Sequence, residues 1–189
     1  MTLDGLVAAS GRSTLRVMRT MLVLAAVAVT LAVAADASSG RKFVSTRYGY
    51  SIVLPAAWTS QPASLAWAGG PPYQNRRQVD FHQTSDGRAL VVAALRVPRG
   101  STLQEWATRY VGSALPSVCA KSRGYRATTL GGAPALAFTG HCDVHDINIG
   151  LTIRRGRGYV FGLSSPSANS ASADGAVFEA GRRSFRFIP

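Results

Sequence analysis

Residues 125–164 read YRATTLGGAPALAFTGHCDVHDINIGLTIRRGRGYVFGLS, and this stretch decides the fold. Four runs, Tyr125–Leu130, Pro134–Cys142, Asp146–Arg155 and Tyr159–Ser164, are separated by Gly-rich or polar breaks too short for a crossover. They are therefore predicted as consecutive strands of an antiparallel meander. In the third run Ile147, Ile149, Leu151 and Ile153 share one face, and Asn148, Thr152 and Arg154 share the other. Alternation with a period of two predicts a sheet with one buried side and one wet side.

Upstream, Tyr48, Tyr50, Ile52 and Leu54 alternate onto one face of a strand spanning 47–54 that Pro55 stops, and Trp58 follows where it can cover one end of a core. Ser64–Ala68 and Gln78–Thr84 read as strands flanking the Gly69–Pro72 loop, with Trp67 and Tyr73 at its borders. Asp86-Gly87 reads as a tight hairpin turn between Val79–His82 and Ala89–Leu95. Ser101 opens a helix with Gln104 as its capping-box partner. Leu103, Trp106, Ala107, Tyr110, Val111, Ala114 and Leu115 form its apolar stripe, and Pro116 ends it. Ser164–Asp174 reads as a loop, followed by a short helix with Val177 and Phe178 and a terminal Phe185-Arg186-Phe187 segment. Hairpin-ordered strands with two helices predict an α+β fold, an antiparallel meander with helices packed on it.

Residues 21–35, MLVLAAVAVTLAVAA, form an uncharged apolar run preceded by Arg12, Arg16 and Arg19, the pattern of a secretory signal. Residues 1–37 are expected to be a removed signal peptide, cleaved after Ala34 or Ala37, and 38–189 a single domain; Met18 is an alternative start. A retained anchor is the competing reading, disfavoured because a span usually needs about 20 apolar residues and Asp36 follows this run directly. Outside the cytoplasm Cys119 and Cys142 read as a structural disulfide, restricting the unfolded chain by about 3 kcal/mol. Two buried free thiols and metal ligation are the alternatives.

The chain carries 21 Lys and Arg against 9 Asp and Glu, a formal charge of +12. Such a field attracts anionic polymers, lipid headgroups or acidic proteins. The basic residues fall into separate groups, Arg76 and Arg77, then Arg154, Arg155 and Arg157, then Arg182, Arg183 and Arg186. No helix-turn-helix, zinc-finger or aromatic RNP pattern accompanies them, so nucleic-acid binding is not expected. His141-Cys142-Asp143-Val144-His145-Asp146 concentrates metal-capable side chains. If extended, it would project His141, Asp143 and His145 to one face as zinc ligands, with His82 or Cys119 as distant contributors. A polar hairpin turn is the favoured alternative. There is no Gly-x-Ser-x-Gly elbow and no clear carboxylate pair, so neither catalysis nor a cofactor is expected.

Tyr48-Gly49-Tyr50-Ser51-Ile52 leading to Pro55 and Trp58 resembles the opening of the PsbP-like family. Gly132-Ala133-Pro134-Ala135 is similar to that family's small-residue turn, Tyr159 to its aromatic after the next hairpin, and Phe185-Arg186-Phe187 to its closing segment. The resemblance covers residues 43–188. It implies an α/β/α sandwich serving as a non-enzymatic extracytoplasmic binding or assembly module, and it carries over no metal-ligand or docking residue. The expected function is that of an exported, monomeric module of the bacterial cell envelope, secreted or held there. It would dock to an envelope protein through the sheet edge or the loop around Trp67 and Tyr73. A second reading gives Arg76, Arg77, Arg154, Arg155 and Arg157 the capture of anionic envelope polymer or lipid. A third, a zinc-assisted hydrolase, rests on His141–Asp146 alone.

Overall fold

The meander forms as β7 (Arg126–Leu130), β8 (Ala133–Cys142), β9 (His145–Arg154) and β10 (Arg157–Pro166). The turns between the long arms place Asp143 (φ 53°) and Arg155 (φ 50°) in the left-handed region, as two-residue hairpin loops demand. The computed structural model describes residues 40–115, 119–121, 124–167 and 171–189; the expected signal peptide, 1–37, and the Pro116 helix stop lie outside them. Residues 41–189 form one compact unit. Its remaining strands are β1 (Arg41–Ser45), β2 (Tyr50–Leu54), β3 (Thr59–Gln61), β4 (Asp80–Gln83), β5 (Ala89–Arg96), β6 (Cys119–Lys121) and β11 (Arg186–Phe187). The helices are α1 (Leu103–Ala114) and α2 (Ala171–Ser184).

The strands make an eight-stranded sheet in the order β3-β4-β5-β10-β9-β8-β6, with β7 also on β8, and a three-stranded sheet in the order β1-β2-β11. Register settles what each face of the large sheet meets. Leu151 pairs with Val160, Ile149 with Gly162 and Ile153 with Gly158. A Cβ at Gly158 would meet the Trp106 ring at 2.7 Å, so this face carries α1. On the other face a Cβ at Gly150 would meet Phe178 of α2 at 3.6 Å, and the Phe161 ring lies 5.2 Å from that of Phe178 and 6.0 Å from that of Phe185. The small sheet packs on this side too, through Tyr50 stacked on Phe185 at 4.7 Å. The expectation of one wet face is thereby corrected. Thr152 is fully buried and donates its hydroxyl to the Pro134 carbonyl at 2.6 Å, because α2 and the small sheet cover the side that alternation assigned to solvent.

Helix α1 begins one residue later than the sequence suggested. Thr102 is its N-cap, accepting from Glu105 N at 3.1 Å, while Glu105 Oε2 accepts from Thr102 N at 2.8 Å. Ser101 and Gln104 offer the alternative hydroxyl and acceptor of a capping box one position earlier, but the Thr102 phase turns Trp106, Ala107, Tyr110 and Ala114 into the core together. Ser64–Ala68 is not a strand. The amides of Ser64 and Leu65 both donate to the Arg77 carbonyl, at 2.9 and 2.8 Å, which bends the chain and sends Trp67 inward. The first expected strand shortens to β2, since Gly49 (φ 69°) turns the chain back from β1. The hairpin at Asp86-Gly87 forms with Gly87 at φ 87°, inside a longer loop in which Thr84 N donates to the Arg88 carbonyl at 3.0 Å. Helix α2 starts at Ala171, within the expected loop. Asp174 in its first turn is 2% exposed and accepts from Arg88 Nε at 2.7 Å, joining the helix to the β4–β5 loop. Among the described residues no helix is long and apolar enough to cross a membrane.

Candidate functional site

A cleft of about 430 Å3 opens on the α1 side of the large sheet. One wall is the 3-10 turn Pro72–Gln74, nucleated by a proline at its first position; the other is the end of the sheet where Cys119, Cys142, His145 and Ile147 meet. Phe81 of β4 forms part of the lining, and Arg76 lays its guanidinium over the Phe81 ring, 4.3 Å from the centroid. Tyr73 contributes its ring to the cleft while its hydroxyl is buried without a hydrogen-bond partner, at the spot where a Cβ on Gly162 would come within 2.6 Å. Burial in this apolar site pushes the Tyr73 hydroxyl well above the ordinary tyrosine value, so it stays protonated.

Trp67, expected beside Tyr73 as a docking ring, is 4% exposed. It packs against Trp106 and Tyr110 with centroids 6.3 Å away in each case, and its Nε1 donates to the Gly70 carbonyl at 3.0 Å. That expectation is corrected: the indole is consumed by the core, and only Tyr73 of the pair reaches a surface cleft.

The His141–Asp146 cluster does not converge. Asp143 and Val144 form the β8–β9 turn, so Cys142 pairs with His145 and His141 pairs with Asp146. Paired residues share a face and neighbours in sequence alternate, which puts His141 and His145 on opposite sides of the hairpin. His145 lines the cleft, whereas His141 Nδ1 lies 2.9 Å from Asp146 Oδ1. His82, offered as a distant ligand, is fully buried on β4, and among the described residues no three metal-capable side chains gather. The favoured hairpin-turn reading is what forms here, and the chain reversal separates the three zinc candidates. Ser167 Oγ also approaches His141, at 3.4 Å, but on the same Nδ1 that meets Asp146. A relay of nucleophile, base and orienting acid needs the two ring nitrogens used separately, so this trio is not one. Cys119 and Cys142 are register partners on β6 and β8 and form a disulfide, Cα to Cα 4.0 Å.

The expected arginine set divides between two faces. Arg76 stacks on Phe81 on the α1 side, and Arg77 is exposed nearby in sequence, its carbonyl used by Ser64 and Leu65. Arg154 stacks on Phe187 at 4.5 Å on the opposite side, and Arg157 donates to the Arg47 carbonyl at 3.4 Å there. The five residues therefore do not make one patch. Sequence reading also missed a neighbour. Arg96, the last residue of β5, is the register partner of Arg157, which is in turn the partner of Arg154. The only local signal was its place at a strand end; the pairing that brings it alongside joins positions 96 and 157, far apart in the chain.

Two ionisable groups of β4 lie between the sheets. Asp80 is 1% exposed, with Oδ1 accepting from Ala63 N at 2.8 Å. Burial raises its pKa, opposed by the facing Ser45 and Tyr50 hydroxyls and that amide. His82 has Nδ1 2.9 Å from Ser60 Oγ and its ring edge-on to Phe43 at 4.6 Å; burial, aided by Arg41, lowers its pKa to about 4. Neither group reaches a cleft described above, and both serve packing.

Neither a protein-family model nor a curated sequence matches the chain. Its structure is similar to the solution structure of cyanobacterial PsbP from Synechocystis, with TM-score 0.54, 16% identity, and coverage of 80% of this chain and 94% of that one. It also aligns with LpqN, described as involved in cell envelope biogenesis of Mycobacterium tuberculosis, at TM-score 0.48, 12% identity, and coverage of 80% and 91%. A variant of the protein Mog1 aligns at TM-score 0.46, 10% identity, and coverage of 79% and 96%. The cyanobacterial likeness, spanning nearly all of its own chain, bears on architecture. With the sheet order and the helices on both faces, it establishes that this chain has the PsbP-like α+β fold.

Proposed function

We propose that the chain is an exported, non-enzymatic binding module of the cell envelope, which docks a protein partner at the cleft between the Pro72–Gln74 turn and the disulfide-bonded end of the sheet. The observation that carries this reading is the cleft itself. It is an open, largely apolar recess of about 430 Å3, held between a rigid proline turn and a crosslinked hairpin, with a guanidinium at its rim. That combination suits an apolar anchor side chain of a partner flanked by a carboxylate. The cationic balance of the chain favours an acidic partner by long-range steering. Export is supported by the apolar run at 21–35 and by a disulfide, which persists in oxidising compartments. The fold adds a prior rather than a function, since one architecture hosts many.

The test is photo-crosslinking in the native host, with a photoreactive residue at Gln74 on the rim and, as control, at Arg109 on the exposed side of α1. A discrete adduct from position 74 that is absent from position 109, and that weakens with Arg76→Glu, is expected. The same adducts from both positions, or none from the rim, would reject the cleft as the docking surface.

A further inference from the structure

At the end of the large sheet remote from the disulfide, Arg96, Arg157 and Arg154 stand side by side. They terminate β5, begin β10 and terminate β9, and each is the register partner of the next. Antiparallel partners project to the same face with Cα atoms about 5 Å apart, so three guanidinium groups line one short ridge. Like charges set directly opposite each other are destabilising in a sheet.

Among the described residues no carboxylate forms an ion pair with them. The acids from position 41 onward are committed elsewhere: Asp86 and Asp174 to Arg88, Glu179 to Arg126 and Arg182, and Asp146 to His141. Glu105 closes the capping box, Asp80 is buried against Ala63 N, and Asp143 sits in the turn at the far end of β9. Along a strand rising about 3.4 Å per residue, Asp146 and Arg154 are roughly 27 Å apart, more than three Debye lengths at physiological ionic strength. Arg155 at the hairpin tip and Arg47, whose carbonyl accepts from Arg157, add to the same end.

We infer that this ridge is a docking site for the phosphate groups of an anionic membrane surface. A guanidinium fork takes a phosphate through paired hydrogen bonds, and neighbouring forks can share one phosphate or take adjacent ones. The ridge belongs to no cleft described above, and a row of cations, with Arg96 exposed and Arg154 and Arg157 half-buried, suits a plane of headgroups better than a small free anion, which favours a concave site. The surroundings favour lipid over an acidic protein. Arg154 lies on Phe187, and the flanking residues of that strand, Arg186 and Ile188, are both exposed. On the small sheet Val53, 43% exposed, is the register partner of Lys42, and Val44, 47% exposed, is that of Ser51, which also pairs with Arg186. Aliphatic side chains among cations are what an interfacial layer of headgroups and acyl chains accommodates. The ridge and the cleft share no residue, so either assignment can fail alone.

The experiment compares the full chain with Arg154→Gln/Arg157→Gln and with Arg76→Gln/Arg109→Gln. The second pair removes the same charge from the other side of the large sheet, and any binding due to the amino-terminal run is common to all three. Binding to phosphatidylcholine vesicles containing phosphatidylglycerol is measured by co-sedimentation over a salt series, with folding verified by the thermal transition. The ridge variant is expected to bind about 25-fold more weakly than wild type, from about 5-fold per arginine near an anionic surface. The control variant should lose far less, and wild-type binding should weaken as salt rises. Equal losses in the two variants would overturn the site. So would a wild-type chain indifferent to vesicles whose transition is raised through the ridge by inorganic phosphate, which would assign the arginines to a soluble anion. Binding to polyglutamate without binding to vesicles would assign them to an acidic protein and overturn the membrane reading as well.

Discussion

Replacing His82 with glutamine removes a titratable ring from between the two sheets while leaving a side chain of similar volume that can still meet Ser60. His82 is fully buried, its Nε2 has no hydrogen-bond partner, and burial holds its pKa at about 4 against an ordinary value of 6.5. The folded state therefore keeps the ring neutral while the unfolded chain takes up a proton as pH falls through 6.5. Stability is flat above that value, declines from 6.5 to about 4, and levels off below. The gap between the two values is worth about 3 kcal/mol at its full extent. Asp80 works in the opposite direction: its raised pKa means the folded state binds a proton first on acidification, which partly offsets the loss. Asp80 is present in both proteins, so the difference between them isolates His82. Urea unfolding followed by tryptophan fluorescence suits the assay, because Trp58, Trp67 and Trp106 are all buried. His82→Gln is expected to be the less stable protein at neutral pH through lost ring packing, and to lose about 3 kcal/mol less than wild type between neutral pH and pH 4. Parallel pH profiles for the two proteins would refute the reasoning, since they would mean that the ring charges without cost inside the fold.

Gly158→Ala is expected to cost about 1–3 kcal/mol in urea unfolding, because the new Cβ meets Trp106 at 2.7 Å and Val97 at 2.8 Å, whereas Gly175→Ala on α2 meets nothing within 4 Å and should stabilise by up to about 1 kcal/mol. An unchanged Gly158→Ala midpoint would mean that α1 does not press on β10. Reducing Cys119–Cys142 should lower stability by about 3 kcal/mol by freeing a loop with a sequence separation of 23, and the Cys119→Ser/Cys142→Ser variant should show the same loss with no further response to reductant. A reductant-sensitive transition in that variant would contradict the assignment.

Much of the architecture was legible from local pattern. The meander, the α1 stripe and the Asp86-Gly87 hairpin each depend on signals within a dozen residues, where periodicity and turn chemistry act directly. What escaped depended on partners distant in sequence. β1, with Arg41, Lys42 and Ser45 among its residues, has no alternating apolar face, and it is a strand because β2 offers it an edge in full register from Arg41↔Leu54 to Ser45↔Tyr50. β3 and β6 have three residues each, too few for any period to show. Asn148, Thr152 and Arg154 looked solvent-facing because residue type reports polarity, whereas burial of Thr152 depends on α2 and the small sheet arriving over it.

The candidate sites divide in the same way. Residue types near Gly69–Pro72 and His141–Asp146 marked places where chemistry could gather, but side-chain direction was settled elsewhere. Trp67 turns inward because two amides bind one carbonyl at Arg77, and His141 and His145 part because a two-residue turn sets the parity of the strands it joins. From the amino-acid order alone follow the antiparallel α+β class and the cationic charge, whereas the disulfide, one of three readings of the two cysteines, is decided by the register of β6 on β8. The cleft and the ridge of Arg96, Arg157 and Arg154 exist only in three dimensions, since strand register between distant segments decides which side chains become neighbours and no local propensity encodes it.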